Sequence, residues 1–339
     1  MSDSERQGIL LTNLGTPASP EAADVRRFLG EFLWDKHVLD MNPVARFLLL
    51  HGIILRTRPK KSAHAYREIW TEQGSPLLLH SLALLKALRA AMPTETIALG
   101  MRYGSPSIGG ALRELHDQGC THVLVCALYP QYATSTSYST QEKVKAEIAA
   151  QKLPLSPRFL PAFYAHPAFI AAQHTIAKRA FERFVPDHVL MSFHGLPERH
   201  LLRGEHAGHC LVTTDCCAQI TANNAHCYRA QCFATARALA SSLDLEGRYT
   251  LSFQSRLGRT KWIGPYSNEV IVQLAQQGVK QLAVLCPAFV TDCLETLEEI
   301  ALRAQESFIA AGGERLLLVP SLNADPAWVE ALQTIIHDH

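Results

Sequence analysis

The stretch Val189-Leu-Met-Ser-Phe-His-Gly-Leu-Pro197 is typical of a buried β-strand that ends at a histidine and a Gly-Leu-Pro turn. Continuous apolar strands of this kind belong to parallel sheets that helices cover on both faces. In an open α/β sheet, ligands bind beyond the carboxyl ends of the strands. His194 stands at that edge, and an imidazole changes charge near neutral pH. The stretch therefore favours an α/β fold in which His194 transfers protons or meets a metal. The alternative is a histidine that only hydrogen-bonds a nearby backbone carbonyl.

The second half of the chain repeats the strand pattern of the first half in the same order. The matching stretches are 8–15 with 188–195, 97–104 with 250–256, and 122–130 with 281–287. Helical stretches separate them, near 60–72, 79–92, 139–151, 167–184, 227–243, 265–277, 292–311 and 325–337. Ser19-Pro20 and Ser105-Pro106 predict two further helix starts, because serine caps helices and proline suits their first turn.

This pattern predicts two doubly wound, Rossmann-like α/β domains with parallel sheets related by an internal repeat. The N-terminal domain spans 1–160 and the C-terminal domain 161–339, with the last helix allowed to pack back on the first domain. Neither half carries a Gly-x-Gly-x-x-Gly loop, so we expect no bound nucleotide.

The near-zero net charge argues against partners, such as nucleic acids, that bind through the overall electrostatic field of a protein. The 339 residues include 32 basic and 31 acidic side chains, for a net charge of +1, so we expect no nucleic-acid partner. The N-terminus has no signal-like apolar core, and no apolar run reaches the roughly 20 residues of a membrane span. We therefore expect a cytoplasmic protein. The sequence predicts no particular oligomeric state.

A row of acids follows the last repeated strand. Asp292, Glu295 and Glu299 are three and four residues apart, a spacing that lines them along one face of a helix. Asp292-x-x-Glu295 is also a possible capping box, but Glu299 lies a full turn further in, where capping does not explain it. With His194 at the same sheet edge, the acids suit divalent-cation handling or proton transfer.

Several motifs, in order along almost the whole chain, resemble ferrochelatases. They are Leu11-Thr-Asn-Leu-Gly-Thr-Pro17, Gly74-Ser-Pro76, Met101-Arg-Tyr103, Tyr129-Pro-Gln-Tyr132, Ser192-Phe-His-Gly-Leu-Pro197, Phe253-Gln-Ser-Arg256, Trp262-x-x-Pro265 and Phe289-x-x-Asp-Cys-Leu-Glu-Thr-Leu-Glu-Glu299. The resemblance implies a chelatase-type fold and insertion of Fe²⁺ into protoporphyrin IX, with release of two protons, in haem biosynthesis. Porphyrin and ferrous iron are then the substrates.

The resemblance also implies roles for individual residues. It makes His194 a pyrrole proton acceptor or metal-facing group, and Glu295 and Glu299 a proton or metal path that Asp292 supports. Several family members have a histidine where this chain has Cys293. For the porphyrin ring the apolar candidates are Leu14, Tyr103, Tyr129, Tyr132 and Trp262, and for its propionates Arg102 or Arg256.

An apolar segment, Arg46-Phe-Leu-Leu-Leu-His-Gly-Ile-Ile-Leu-Arg56, is followed by further basic residues. In ferrochelatases the corresponding region forms a lip over the porphyrin site. A lip that dips into a membrane surface would suit a poorly soluble substrate and product, and we expect peripheral contact of that kind. Burial of the segment in the core is the alternative.

Five of the nine cysteines fall between positions 210 and 232. A cytosolic protein does not keep structural disulfides, so this density indicates a metal or redox centre. Some bacterial ferrochelatases carry a [2Fe–2S] cluster, and the insertion resembles that type. The predicted ligands are Cys210, Cys217, Cys227 and Cys232, with Cys216 as the alternative to its neighbour. Zinc, aided by His206, His209 or His226, and free thiols are the competing interpretations.

Three other functions compete with the predicted one. A chelatase for coproporphyrin III differs only in the number of propionates, and a cobalt or nickel chelatase for a less aromatic tetrapyrrole would share the histidine and the acids. A non-catalytic haem or metal carrier would have lost its site. His194, Glu295 and Glu299 are all present, which argues against that loss.

Overall fold

The computed structural model describes residues 6–202, 208–211, 213, 215–256, 258 and 260–339. The chain forms two compact units. The first comprises Met1–Leu128, Thr134–Pro161 and His339, and the second comprises Tyr129–Ala133 and Ala162–Asp338. Each unit is built around one parallel sheet of four strands.

The sheet of the first unit has the strand order β2-β1-β3-β4. Its strands are β1 Gln7–Gly15, β2 Thr96–Tyr103, β3 His122–Ala127 and β4 Ser156–Phe159. Its α-helices are α1 Ala22–Trp34, α2 Pro43–Leu49, α3 Leu55–Ile69, α4 Pro76–Ala91, α5 Ile108–Asp117 and α6 Ser139–Gln151. Two π-helical turns, Leu50–Ile54 and Thr134–Tyr138, lead into α3 and α6.

The sheet of the second unit has the order β6-β5-β7-β8. Its strands are β5 His188–His194, β6 Tyr249–Gln254, β7 Gln281–Leu285 and β8 Arg315–Leu318. Its α-helices are α7 Pro167–Phe181, α8 Glu198–Leu201, α9 Tyr228–Ser242, α10 Ser267–Gln276, α11 Leu294–Thr296, α12 Gln305–Ala310 and α13 Pro326–His337. A π-helical segment, Leu297–Ala304, joins α11 to α12, and α13 packs against α7 of the same unit.

The predicted internal repeat is confirmed, because both sheets have the same order and all their pairings are parallel. In each unit the first strand of the repeat, β1 or β5, is paired on both sides. Buried Leu10 and Leu190 sit at corresponding positions of these strands and join the clusters under the covering helices. Strands covered on both faces need apolar side chains at every position, which is why both read as continuous apolar runs.

Several helix starts differ from the sequence expectation, and the largest shift is that of α3, which was expected near residue 60 and begins at Leu55. Helix α1 begins at Ala22. The Ser19 hydroxyl donates to the Asp24 carboxylate and accepts from the N–H of Glu21, which precedes the helix, so it caps no helical N–H. Helix α5 begins at Ile108 and is capped by Ser107, whose Oγ accepts from the Gly110 N–H at 3.1 Å, so Ser105-Pro106 precedes the helix. The helix expected from residue 292 begins at Leu294.

In the described ranges, no helix has the length and apolar character that a transmembrane span requires. The segment 46–56 nevertheless exposes much of its apolar surface. Together with its neighbours it forms an apolar patch of side chains that are 36–67% exposed, namely Trp34, Met41, Val44, Phe47, Leu48 and Ile53. The alternative in which this segment is buried in the core is therefore wrong, although Leu50 and Leu55 do anchor it there.

Candidate active site

His194 lies at the carboxyl end of β5, in register with Gln254 of β6. Its Nδ1 is 2.6 Å from the Gly195 carbonyl oxygen. Because a carbonyl only accepts, Nδ1 carries the proton in this contact and the lone pair of the neutral ring lies on Nε2. The ring centroid is 6.4 Å from that of Trp262 and 6.2 Å from that of Phe289. His194 thus makes the backbone hydrogen bond that the alternative interpretation expected. This hydrogen bond leaves the lone pair of the neutral ring on Nε2.

The turn after His194 brings Trp262 to the histidine. Gly195 donates its N–H to the Gln254 carbonyl at 2.8 Å, and a Cβ at this position would lie 2.9 Å from that oxygen and 3.2 Å from Trp262 Cε3. An isolated bridge pairs Pro197 with Trp262, and Ile263 donates to the Leu196 carbonyl at 2.9 Å. A side chain at Gly195 would separate these segments, so the glycine is required by close approach.

Tyr228 is a site residue that the sequence analysis missed. It is the first residue of α9 and is buried, and its hydroxyl donates to the His194 carbonyl oxygen at 2.9 Å. Nothing in the local sequence marks this contact, because the two residues are 34 positions apart. The only available signal is its place between Cys227 and Cys232.

The two glutamates are held by consecutive residues at the end of β6. Both oxygens of Glu299 accept from Ser255, one from the backbone N–H at 2.9 Å and one from the hydroxyl at 2.6 Å. Gln254 donates its side-chain N–H to the backbone carbonyl of Glu295 at 2.7 Å. Glu295 and Glu299 are both half-buried. No local pattern in the sequence marks Gln254 or Ser255 for this task.

Asp292 does not share a helical face with the glutamates, which corrects the expected ladder of three acids. It precedes α11 and is 6% exposed. Its carboxylate accepts from the Thr296 hydroxyl at 3.0 Å, the Ser321 N–H at 3.3 Å and the Asn323 amide at 2.7 Å. The capping box at this end is formed by Cys293 and Thr296, not by Asp292 and Glu295.

Cys293, at the position where several ferrochelatases have histidine, is buried. Burial raises the pKa of its thiol well above the usual value, and the charge and hydrogen bond of Glu295 add to the rise. Cys293 therefore stays protonated beside Glu295.

Two of the predicted substrate residues belong to a buried network of the first unit. The Asp35 carboxylate accepts from Arg102 at 2.5 Å, from the Tyr103 hydroxyl at 2.8 Å and from Ser139. Arg102 and Asp35 are only 13% and 4% exposed, and Tyr103 is buried. Arg102 is thus committed to Asp35, and the Tyr103 ring is not presented to a ligand. Leu14, at the end of β1, is half-buried.

The remaining predicted substrate residues lie in the second unit and are more accessible. Arg256 is exposed, with its guanidinium carbon 4.3 Å from the centre of the Tyr266 ring. Tyr129 and Tyr132 are half-buried. The Tyr132 backbone N–H donates to Gln231 of α9 at 2.6 Å, and its ring lies 5.7 Å from that of His226.

The predicted cysteine ligands converge in the second unit. Cys210, Cys217, Cys227 and Cys232 are each at most 3% exposed, whereas Cys216 is half-buried. Cys227 is a hydrogen-bond partner of both Cys210 and Cys217. The Sγ atoms of Cys216 and Cys217 are 3.8 Å apart, and Arg229 donates to Cys217 Sγ at 3.1 Å.

The zinc interpretation calls for histidine ligands near these thiols or for several ligands around one ion. His206 lies outside the described residues. Among those that are described, no three His, Cys, Asp or Glu side chains are placed around a single metal ion.

Comparisons with known proteins identify the family of this chain. The ferrochelatase family model matches residues 6–339. The chain is 49% identical to a ferrochelatase of Azotobacter vinelandii over 327 residues, and 47% identical to one of Pseudomonas putida over 329 residues, with 96% of each chain covered. It is 43% identical to a ferrochelatase of Coxiella burnetii over 334 residues, which are 98% of this chain and 93% of that one.

Solved structures match the fold at low sequence identity. SirB from Bacillus subtilis with Fe³⁺ has a TM-score of 0.54 at 12% identity, covering 98% of this chain and 95% of that chain. The sirohydrochlorin chelatase SirB from Bacillus subtilis subspecies spizizenii, in complex with cobalt, has the same TM-score at 11% identity, with 98% and 94% covered. The chain has the chelatase fold and belongs to the ferrochelatase family, the lyases that insert Fe²⁺ into protoporphyrin in haem biosynthesis.

Proposed function

We propose that His194 accepts, through Nε2, the protons that the pyrrole nitrogens of protoporphyrin IX lose as Fe²⁺ enters. The hydrogen bond from Nδ1 to the Gly195 carbonyl supports this role, because it leaves the lone pair on the other nitrogen. Insertion replaces two N–H bonds by iron–nitrogen bonds and releases two protons, so a base must stand beside the ring. An imidazole whose Nε2 lone pair is free can accept such a proton and pass it on, which meets that need.

Glu299 and Glu295 provide the path by which protons leave or iron arrives. Their carboxylates follow His194 at the same sheet edge, and Ser255 already satisfies one acceptor site on each oxygen of Glu299. A carboxylate oxygen has a second lone pair that can bind a proton or a cation. Trp262 and Phe289, which flank the imidazole, offer apolar surface to the macrocycle. Arg256 is the exposed cation available to a propionate.

The geometry of His194 carries this proposal, and a matched pair of variants tests it. His194→Ala removes the base, so we expect a loss of kcat on the order of 10²–10⁴-fold. The rate is followed under anaerobic conditions as Fe²⁺ quenches porphyrin fluorescence. His188→Ala, at the opposite end of the same strand, should retain activity. Full activity of His194→Ala with an unchanged melting temperature would remove His194 from the mechanism.

The same assay separates the competing substrates. Protoporphyrin IX and coproporphyrin III are compared side by side, and we expect the larger kcat/KM with protoporphyrin. A preference for coproporphyrin would contradict the assigned substrate.

We infer that the apolar patch at Trp34, Met41, Val44, Phe47, Leu48 and Ile53 contacts a membrane surface. These side chains are exposed, and Arg56, Arg58, Lys60 and Lys61 follow them along α3. Apolar side chains bordered by cations suit an interface with anionic lipids. The double variant Phe47→Ser/Leu48→Ser should lose cosedimentation with anionic vesicles, whereas Val185→Ser, at an exposed valine of the second unit, should not. Equal binding of both variants would contradict the inference.

We further propose that Cys210, Cys217, Cys227 and Cys232 hold a [2Fe–2S] cluster. The donor set fits, because four buried thiols and a neighbouring arginine suit a cluster with thiolate ligands. When bound, such a cluster supplies one-electron redox chemistry and a covalent link between the segments that carry the cysteines. Arg229 would then neutralise part of the thiolate charge.

An absorption spectrum of protein purified without oxygen tests the cluster. We expect visible bands that bleach with dithionite, together with iron and acid-labile sulfide. Cys217→Ser should lose these signals and Cys216→Ser should keep them, because Cys216 is the half-exposed alternative. A featureless spectrum with bound zinc would instead support the zinc interpretation.

A further inference from the structure

Ser255 combines a strained backbone with a close contact to a glutamate. Its φ is +66°, in the left-handed region. For a residue with a Cβ this conformation is unfavourable, whereas glycine adopts it freely. Serine is therefore a poor choice for the backbone at this position. Strained residues concentrate where the surrounding structure uses them.

The hydroxyl of Ser255 has a specific partner. It donates to Glu299 Oε2 at 2.6 Å, while the backbone N–H of the same residue donates to Oε1 at 2.9 Å. Two donors from one residue fix both the position and the plane of the carboxylate. The left-handed conformation directs the N–H and the hydroxyl to the same acceptor group.

The residue before Ser255 anchors the neighbouring part of the site. Gln254 donates to the Glu295 carbonyl at 2.7 Å and accepts from Ser192 at 2.7 Å. It is 3% exposed and lies in register with His194. The backbone that carries Ser255 is thus tied both to the strand of the histidine and to the helix of the glutamates.

We propose that Ser255 is a positioning residue, and that this chain keeps a strained serine where glycine would fit because the hydroxyl aligns the Glu299 carboxylate for its part in metal insertion. The inference rests on the role of Glu299 in the proposed function. Loss of an outer partner of a metal-handling carboxylate typically costs 10–100-fold in activity or metal affinity.

Three substitutions separate positioning from folding. Ser255→Gly and Ser255→Ala both delete the hydroxyl, but only glycine relieves the strain, so Ser255→Gly should melt higher than Ser255→Ala. Ser255→Thr keeps a hydroxyl and adds a β-branch, so it should melt lowest. Activity per folded molecule should follow a different order. Ser255→Thr should be nearly as active as the unmodified protein, whereas Ser255→Gly and Ser255→Ala should both lose roughly tenfold or more. We expect the loss to include a higher KM for Fe²⁺ with an unchanged KM for porphyrin.

Two control variants calibrate the comparison. Ser307→Ala, in α12, deletes an exposed hydroxyl that donates to the Arg303 carbonyl of the preceding π-helical segment, and it should leave activity unchanged. Lys152→Gly relieves a φ of +52° in the first unit and should raise the melting temperature without changing activity.

The outcome also separates this inference from the role of Glu299. If Glu299→Gln abolishes insertion while Ser255→Gly and Ser255→Ala are fully active, the positioning role is wrong and the proposed function stands. If Glu299→Gln is itself fully active, the proposed role of Glu299 fails first. If the activities of the three Ser255 variants simply follow their melting temperatures, the serine has only a structural role.

Discussion

At the residue scale, Asp292 differs from the glutamates that follow it in sequence. Its carboxylate accepts from Thr296, Ser321 and Asn323, and all three donors belong to the loop and helix framework of the second unit. An acid whose oxygens are used in this way holds the start of the helix in place. We therefore assign it a supporting role in the fold, apart from the handling of protons or iron.

Asp292→Asn tests that assignment. The amide presents a donor to groups that are themselves donors, so we expect the free energy of unfolding to fall by about 1–3 kcal/mol in urea titrations. The kcat of the folded protein should change less than tenfold. A hundredfold loss of kcat at unchanged stability would instead place Asp292 in the chemistry.

At the element scale, the end of β2 is tied to α6 and to the residues after α1 by one buried carboxylate. Burial disfavours the charged form of Asp35, but hydrogen bonds from Ser139, His37 and Tyr103 and the charge of Arg102 outweigh it, and the pKa of Asp35 is lowered. A carboxylate whose pKa is lower in the folded state stabilises the protein above its unfolded pKa of about 4. That contribution is lost as the pH falls through the folded pKa.

Asp35→Asn should therefore be costly at neutral pH and less so in acid. Removing the acid leaves Arg102, which is 13% exposed, without its carboxylate partner. We therefore expect a loss of about 3–5 kcal/mol at pH 7 by urea unfolding, and a smaller loss below about pH 4. As a control, Glu147→Gln breaks the more exposed pair with Lys143 and should cost less than about 1 kcal/mol. An equal loss for Asp35→Asn at both pH values would show that shape, not charge, matters.

The helix that carries the glutamates shows how far an element can depart from its sequence pattern. The acids are spaced as in an α-helix, yet Leu297–Ala304 is π-helical and Asp292 lies before the first turn. Short π-helical segments are frequent at functional sites. The contact of Ser255 to Glu299 falls in this segment, and that of Gln254 to Glu295 falls in α11 just before it. Neither contact is encoded in the local spacing of the acids.

At the scale of the whole molecule, the five cysteines between positions 210 and 232 belong to only one of the two units. Metal binding to folded thiolates contributes folding free energy where the ligands lie. Loss of the proposed cluster in Cys217→Ser should therefore reduce amide hydrogen-exchange protection in α9 and β6, and leave β1 and β3 unchanged. Protection lost equally in both units would contradict a local role for the cysteine site.

The α/β class, the internal repeat and the position of His194 at a strand end follow from local patterns in the chain. Continuous apolar strands and their Gly or Pro ends are local signals, because burial on both faces of a sheet demands apolar side chains at every position. The ferrochelatase motifs could also be recognised from the sequence, because each is a short stretch of neighbouring residues.

Which polar groups meet depends on the packing of segments that are distant in the chain. The sequence made Arg102 a candidate for a propionate, but its guanidinium donates to the carboxylate of Asp35, 67 residues away. Tyr228 reaches His194 across 34 residues, and Ser255 reaches Glu299 across 44. The composition of the apolar patch likewise fitted both exposure and burial in the core. A hydrogen bond between distant segments depends on the packing of whole elements, and no local pattern of residue types records it.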